Sequence, residues 1–261
     1  MAGRLAGKVA IVTGAGSSGP GMGNGKAAAL LFAREGAAVA CVDNILERAE
    51  ETVAAIVAEG NRAMAIVADV TKLLECERMV ASCIEAFGQL NIIHNNVGVG
   101  SRAGILEIDE DEWDRVLAVD LKSMAFVVRA AVPQLTLAGG GAIVNVSSIA
   151  ATRAIGGVGS TAYAAAKAGV MGLTVSLAGQ LADRRIRVNC IAPGYVYTPM
   201  VSGQMSDETR QRRRSAGLLP DEGTAFDVGW AAVYLASDEA SWVTGQVLFV
   251  DGGLTVATRV V

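Results

Sequence analysis

The sequence predicts an α/β chain, doubly wound into three layers around a parallel sheet of about seven strands. Three observations carry that expectation. Short apolar, β-branched runs alternate with longer helical patterns along the whole length. The strand-like runs carry few polar residues on either face, as strands buried on both sides by helices must. A glycine-rich turn separates the first strand from the first helix.

The elements follow in order. Lys8–Thr13 reads as the first strand, and Gly25–Glu35 as a helix stopped by Gly36. Ala38–Val42 is a strand, Leu46–Glu59 a helix stopped by Gly60, and Ala63–Ala68 a strand. Leu74–Phe87 is a helix closed by Gly88, and Leu90–His94 a strand. Asp111–Leu137 holds one long helical pattern, followed by strand Ala142–Val146, helix Ala162–Leu181 and strand Ile186–Ile191. Val228–Leu235 is helical and Val247–Val250 is the last strand. No linker, repeat or low-complexity tract interrupts the series, so 1–261 is expected to be a single domain. Its least regular stretch, 200–224, is a candidate substrate flap carrying Arg210, Arg212, Arg213 and Arg214. Those arginines either lie on a solvated helix face or, with Arg102, meet an anionic group.

Composition narrows the function. With 52% hydrophobic and 18% charged residues the chain can bury a sizeable core. A net charge of −4 argues against nucleic acid as a partner. The apolar run Val9–Val12 is too short for a membrane span or a signal peptide, so a soluble, cytoplasmic protein is expected. Cys41, Cys76, Cys83 and Cys190 lack metal-type spacing and read as reduced core thiols. With His94 as the one histidine, no metal site is expected. His94 itself reads as a hydrogen-bonded core residue.

Candidate site residues cluster at strand ends. Gly14, Gly16 and Gly19 fit G-x-G-x-x-G, a turn whose backbone amides and helix N-terminus can receive a pyrophosphate. Asp43 follows the second strand, where a carboxylate can accept hydrogen bonds from an adenosine ribose and repel a 2′-phosphate. That favours NAD, although Asp43 could also cap the Leu46 helix. Tyr163 and Lys167 stand four apart on one helix face. A free phenol titrates near pH ~10. A neighbouring ammonium favours the phenolate and makes tyrosine a usable acid/base. Ser147 and Ser148 follow a strand.

In these residues the chain resembles the short-chain dehydrogenase/reductase family, over nearly its whole length. The landmarks run in order: Thr13-Gly14, Asp43, Asp69-Val70, Asn95-Asn96-Val97-Gly98, Ser147-Ser148, Tyr163 with Lys167, Pro193-Gly194 with Thr198, and Asp251-Gly252-Gly253. The resemblance implies a Rossmann-type fold and an NAD-dependent oxidoreductase interconverting a secondary alcohol and a ketone. It implies Ser148, Tyr163 and Lys167 as the catalytic set, with Ser148 on the substrate oxygen. Gly14, Ser17, Gly23, Asn24 and Gly25 would lie at the phosphates. Asp69 and Val70 would lie at the adenine, and Asn95 along the cofactor with Gly98 beside it. Val196 and Thr198 would meet the nicotinamide carboxamide, and Lys167 its ribose. It also implies a homo-oligomer, tetramer or dimer, built on the helices Asp111–Leu137 and Ala162–Leu181. Two other readings are an enoyl-type C=C reductase and a non-catalytic NAD-binding scaffold or sensor.

The sequence departs from the family pattern in three places. Counted forward from Thr13-Gly14, two expected turn glycines fall on Ser18 and Pro20. Counted back from the helix, the final G-x-G falls on Gly23-Asn24-Gly25, which implies an enlarged turn. Asp120 occupies the position of the family's usual asparagine, as a neutral replacement or as an altered proton relay beside Lys167. The insert Ile155–Ser160 lengthens the interval between Ser148 and Tyr163.

Overall fold

The computed structural model describes residues 3–154, 160–202 and 205–256. The insert at 155–159 lies outside them.

The elements run β1 (Val9–Thr13), α1 (Asn24–Arg34), β2 (Ala38–Asp43), α2 (Leu46–Ala58), β3 (Ala63–Val67), α3 (Leu73–Phe87) and β4 (Ile92–Asn95). They continue with α4 (Glu110–Leu117), α5 (Ser123–Leu137), β5 (Gly141–Val146), α6 (Thr161–Leu181), β6 (Ile186–Pro193), α7 (Pro199–Ser202), α8 (Asp207–Ala216), α9 (Ala225–Ala236) and β7 (Val247–Val250). The seven strands form one sheet in the order β3-β2-β1-β4-β5-β6-β7. Every pairing is parallel. Helices cover both faces of the sheet. This is the expected doubly wound, Rossmann-type architecture.

Side-chain alternation along the strands builds the two halves of the core. On β1, Ala10 and Val12 face one layer, where they meet Phe32 of α1 and Val228 and Val233 of α9. Val9 and Ile11 face the other, with Met79 of α3, Leu135 of α5 and Leu181 of α6. Gly36, Gly60 and Gly88 stop the first three helices with φ of 91°, 80° and 81°, a left-handed turn that a side chain resists. Among the described residues no helix is long and apolar enough to cross a membrane.

Two sequence expectations need correction. The long helix expected over Asp111–Leu137 is broken by a π-helical turn at Ala118–Lys122. The fourth strand pairs only from Ile92, although Leu90 is buried. The solvated helix face considered for the arginines of 200–224 is present as α8, capped by the Ser206 side chain accepting from the Thr209 amide.

His94 also differs from expectation. It lies on β4 between Val12 and Val144, fully buried, with its ring edge against Phe32 at 5.8 Å. Neither ring nitrogen has a hydrogen-bond partner among the described residues. Burial opposes the charged form and lowers its pKa to about 4. The native state therefore resists a proton that the unfolded chain accepts below pH ~6.5, and stability falls as the pH drops through that window. Between about pH 7 and about pH 5 this one group should cost about 2 kcal/mol. Denaturant unfolding at the two pH values should show that loss in the wild type. His94→Leu should lack that part of it; an unchanged pH dependence would show that His94 is not the group responsible.

Candidate active site

The functional candidates gather at the C-terminal edge of the sheet. A parallel sheet presents its loops and the N-termini of its following helices there, and the crevice opens where strand order reverses, between β1 and β4.

The glycine turn, residues 14–23, is held by side chains from neighbouring elements. Gly14 has φ 63°, and its carbonyl accepts from the Asn96 side-chain amide at 3.0 Å. A Cβ on Gly25 would lie 2.0 Å from the Gly14 carbonyl oxygen. A Cβ on Gly16 would lie 2.5 Å from Arg48 Cβ and 2.7 Å from Asp43 Oδ2. Packing thus requires glycine at 14, 16 and 25. A Cβ on Gly19 would meet nothing closer than Pro199 at 3.8 Å. The literal G-x-G-x-x-G match is therefore not the structural set, and Gly25, found by counting back from the helix, is. Ser17 pins the turn internally: its Oγ donates to the Gly21 carbonyl and accepts from the Gly23 amide at 3.0 Å. The loop tip leans toward α7, where a Cβ on Gly21 would lie 3.4 Å from Pro199 Cγ.

Helix α1 opens on Gly23 with no side-chain cap and no acidic residue in its first turn. Its first amides and the positive end of its dipole are thus unclaimed and suited to an anion. Asn24 Oδ1, in the same turn, is buried without a partner among the described residues. These features fit a pyrophosphate. Asp43 ends β2 and accepts from the Gly16 amide at 3.2 Å and the Ile45 amide at 3.1 Å. It does not cap α2, whose N-cap is Ile45 with no side-chain bond. Asp69 accepts from the Thr71 amide and hydroxyl. Burial acts to raise its pKa, but those bonds, with Lys72 and Lys122, lower it on balance. Val70 is buried.

Asn95 ends β4, and its side-chain amide donates to Asn145 Oδ1 at 2.9 Å, while Asn145 in turn donates to Thr174 at 3.0 Å. The side chain thus ties β4 to β5 and α6. Asn145, which sequence reasoning missed, carried one signal: an amide in the middle of an otherwise apolar strand. Arg48, also missed, packs its stem on Gly16 beside Asp43.

Past β5, two adjacent serines part company. Ser147 is buried and donates to the Lys167 carbonyl at 2.7 Å. Ser148 is half-buried, and its Oγ accepts from the Ala150 amide at 3.1 Å and donates to no group among the described residues. On α6, Lys167 and Tyr163 face each other, with Lys167 Nζ 5.6 Å from the centre of the Tyr163 ring. Lys167 is almost wholly buried and donates to the Val146 carbonyl at 3.2 Å.

Asp120, on the π-helical turn and fully buried, completes this cluster. Its Oδ2 is 3.2 Å from Lys167 Nζ, an ion pair whose angles fall short of a hydrogen bond. Its Oδ1 accepts from the Val99 amide at 2.7 Å. Burial raises the Asp120 pKa against the pull of Lys167 and the Val99 amide. For Lys167 burial acts to lower the pKa, but Asp120 and Tyr163 outweigh it and raise it. The carboxylate thus favours the charged lysine, while the lysine offsets part of the effect of burial on the carboxylate. Gly98 explains itself here: a Cβ would lie 3.1 Å from both Asp120 Oδ2 and Lys167 Nζ.

Beyond β6, Val196 is buried and bridges to Gly223, while the Thr198 carbonyl accepts from the Val201 and Ser202 amides of α7. Of the arginines on α8, Arg210 pairs with Glu222 and Arg212 with Glu208. Arg213 stacks over the Tyr195 ring at 4.3 Å. The four cysteines are free and buried. No group of three or more potential metal ligands occurs among the described residues.

A dinucleotide-type fold with a tyrosine and lysine one helical turn apart defines a class of nicotinamide-dependent oxidoreductases. The chain belongs to the short-chain dehydrogenase/reductase family. A family model described as enoyl-(acyl carrier protein) reductase matches residues 20–255. The 3-oxoacyl-acyl-carrier-protein reductase FabG of Thermotoga maritima is 38% identical over 97% of this chain and 100% of its own. The cis-4-hydroxycyclohexanecarboxylate dehydrogenase of Sinomonas cyclohexanicum is 40% identical over 95% of this chain and 96% of its own. Among solved structures, a protein described as a short-chain dehydrogenase/reductase from Burkholderia xenovorans superimposes with a TM-score of 0.93 at 39% identity, covering 99% of this chain and 100% of that one. A 7α-hydroxysteroid dehydrogenase complexed with NADH and 7-oxo glycochenodeoxycholic acid gives 0.90 at 32% identity, covering 96% and 95%. The family makes this protein an oxidoreductase that uses a nicotinamide cofactor.

The glycine geometry yields a test. Gly25→Ala forces the Gly14 carbonyl to move and should cost about 1–3 kcal/mol. Gly19→Ala should leave stability nearly unchanged. Thermal unfolding of the two variants should separate them; equal midpoints would show that Gly25 is not packed as described.

Proposed function

We propose that the protein is an NAD-dependent dehydrogenase or reductase that interconverts a secondary alcohol and a ketone, with Tyr163 as general acid/base. The observation that carries this reading is the buried Lys167 ammonium facing the Tyr163 ring, with Nζ 5.6 Å from the ring centre. The ammonium supplies the positive field a phenol needs to exchange a proton near neutral pH.

A nicotinamide dinucleotide, when bound, supplies the hydride acceptor or donor. The chain's own residues do the rest. The α1 N-terminus, with Gly14, Ser17, Gly23, Asn24 and Gly25, would hold the pyrophosphate. The loop tip that leans on Pro199 would roof the crevice. Asp43 would hold the adenosine ribose and repel a 2′-phosphate, which supports NAD over NADP. Asp69 and Val70 would flank the adenine. The main chain from Asn95 to Gly98 would line the floor, and Val196 and Thr198 would bind the carboxamide. Ser148 Oγ donates its proton to the substrate oxygen and stabilises charge developing there. In oxidation Tyr163 Oη accepts the hydroxyl proton; in reduction it returns it. Lys167 also binds the nicotinamide ribose. The segment 200–224, with Arg213 as a half-buried cation above Tyr195, would close over the substrate. We further read 1–261 as one catalytic domain that acts in the cytoplasm as a homo-oligomer, tetramer or dimer.

A second reading, reduction of a conjugated C=C bond, draws on the description of the family model. The Ser148, Tyr163 and Lys167 set implied by the family resemblance supports carbonyl chemistry over it.

Secondary alcohols, polyols, hydroxy acids and unsaturated acyl compounds should be screened with NAD or NADP, oxidised or reduced to suit, following absorbance of the reduced nicotinamide. Turnover should occur with an alcohol or ketone, faster with NAD. Tyr163→Phe should lower kcat by at least about 100-fold, the range that general acid/base catalysis supplies, and leave NADH binding intact. Full activity in that variant would remove the proposed chemistry. Preference for NADP would show that Arg48, not Asp43, governs the ribose site.

A further inference from the structure

We propose that Asp120 is a positioning residue that holds the Lys167 ammonium in place and offsets its charge, so that the pH at which Tyr163 can accept a proton is set by the pair rather than by lysine alone. The inference rests on the reading of Tyr163 as acid/base, but its physical content is a property of the chain without cofactor or substrate.

Geometry carries it. Asp120 has no exposed surface and Lys167 almost none, and their charged atoms are 3.2 Å apart. No water intervenes at that distance, so the carboxylate acts on the ammonium directly. The π-helical turn at Ala118–Lys122 adds a residue to the helical path at the point where Asp120 must face inward. The Val99 amide fixes the other carboxylate oxygen at 2.7 Å, and Gly98 leaves the room a side chain would fill. Three elements therefore converge to present one carboxylate to one ammonium.

The surroundings leave Asp120 as the decisive charge. From its own helix Lys167 faces Tyr163, and from β6 it faces Cys190. Burial, acting first, pushes the Cys190 thiol up to about 11, so it is neutral at working pH. Asp120 also senses Arg115 on α4, which is half exposed and lies 4.0 Å from Glu112. Among the described residues no other carboxylate contacts Lys167.

The consequence has a definite sign. A neutral amide at 120 would leave the lysine cation uncompensated, and a phenolate beside an uncompensated cation forms more readily. With the carboxylate present the local charge is close to zero, and a proton leaves the cluster less readily. A cluster so arranged resists proton loss, a bias that suits giving a proton to a carbonyl oxygen during reduction.

The test uses two readouts on the full chain. The first is ultraviolet titration of tyrosinate in the protein without cofactor, with Tyr163 isolated by subtracting the Tyr163→Phe trace from the four-tyrosine protein. The second is the pH profile of kcat/KM for alcohol oxidation with the substrate found by screening. Asp120→Asn should move both midpoints down by about one pH unit. Asp120→Ala removes the same charge with less bulk and should shift them in the same direction. If Asp120 only supports the fold, turnover falls while both midpoints stay put; that result, or an upward shift, overturns the proposal. A shift in the tyrosinate titration without turnover on any substrate upholds the electrostatic coupling and rejects the catalytic reading instead. Turnover that depends on Tyr163 with unmoved midpoints does the reverse.

Discussion

The buried contact between the Lys167 ammonium and the Asp120 carboxylate is the constraint around which the rest of the site is arranged. Two charges withdrawn from water at such close range are tolerated only when each is paired and further hydrogen-bonded. The Val146 carbonyl and the Val99 amide provide those bonds. Several local features follow from that requirement. The helix between α4 and α5 must loosen to turn the carboxylate inward. Position 98 must lack a side chain. The strand ends of β4 and β5 must deliver backbone groups to the same point. Ser147 fastens the arrangement by bonding the Lys167 carbonyl, which ties α6 to the end of β5.

The second constraint is the reversal of strand order between β1 and β4. It opens the crevice and places the N-terminus of α1 on one rim and the segment after β6 on the other. The glycine turn is shaped by its neighbours more than by its own flexibility. Asn96, Asp43, Arg48 and the start of α1 crowd Gly14, Gly16 and Gly25, whereas Gly19 and Gly21 face only Pro199. The tip of the turn thus lies toward Pro199 of α7.

The strand and helix order was legible because glycines stop the first three helices and the strands are mostly apolar. Less was legible where periodicity misleads. Apolar spacing runs unbroken through Ala118–Lys122, so a π-turn there leaves no mark in the pattern. Helix α8 has no apolar face, only its Ser206 cap, an acidic first turn and a basic last turn, so its charges suggested a solvated helix face but not its bounds. Leu90 is buried without pairing, which an apolar pattern cannot distinguish from strand. At the site, the facing of Tyr163 and Lys167 followed from helical spacing, and the pressure of Asp120 on Lys167 from its chemistry. The hydrogen bond of Asn95 did not, because its partner Asn145 lies fifty residues further along the chain. The His94 ring has an edge-on contact with Phe32 and no hydrogen-bond partner for either nitrogen among the described residues, a distinction that composition and position do not carry.

The account stands on a nicotinamide dinucleotide seated at the sheet edge beside the lysine pair. Hydrogen–deuterium exchange with and without NADH tests that directly. The account predicts slowed exchange at the amides of Gly14–Lys26 and Val97–Val99, with the far edge of the sheet at β7 unaffected. Unaltered exchange at these amides under saturating NADH, or protection confined to another face, would contradict it.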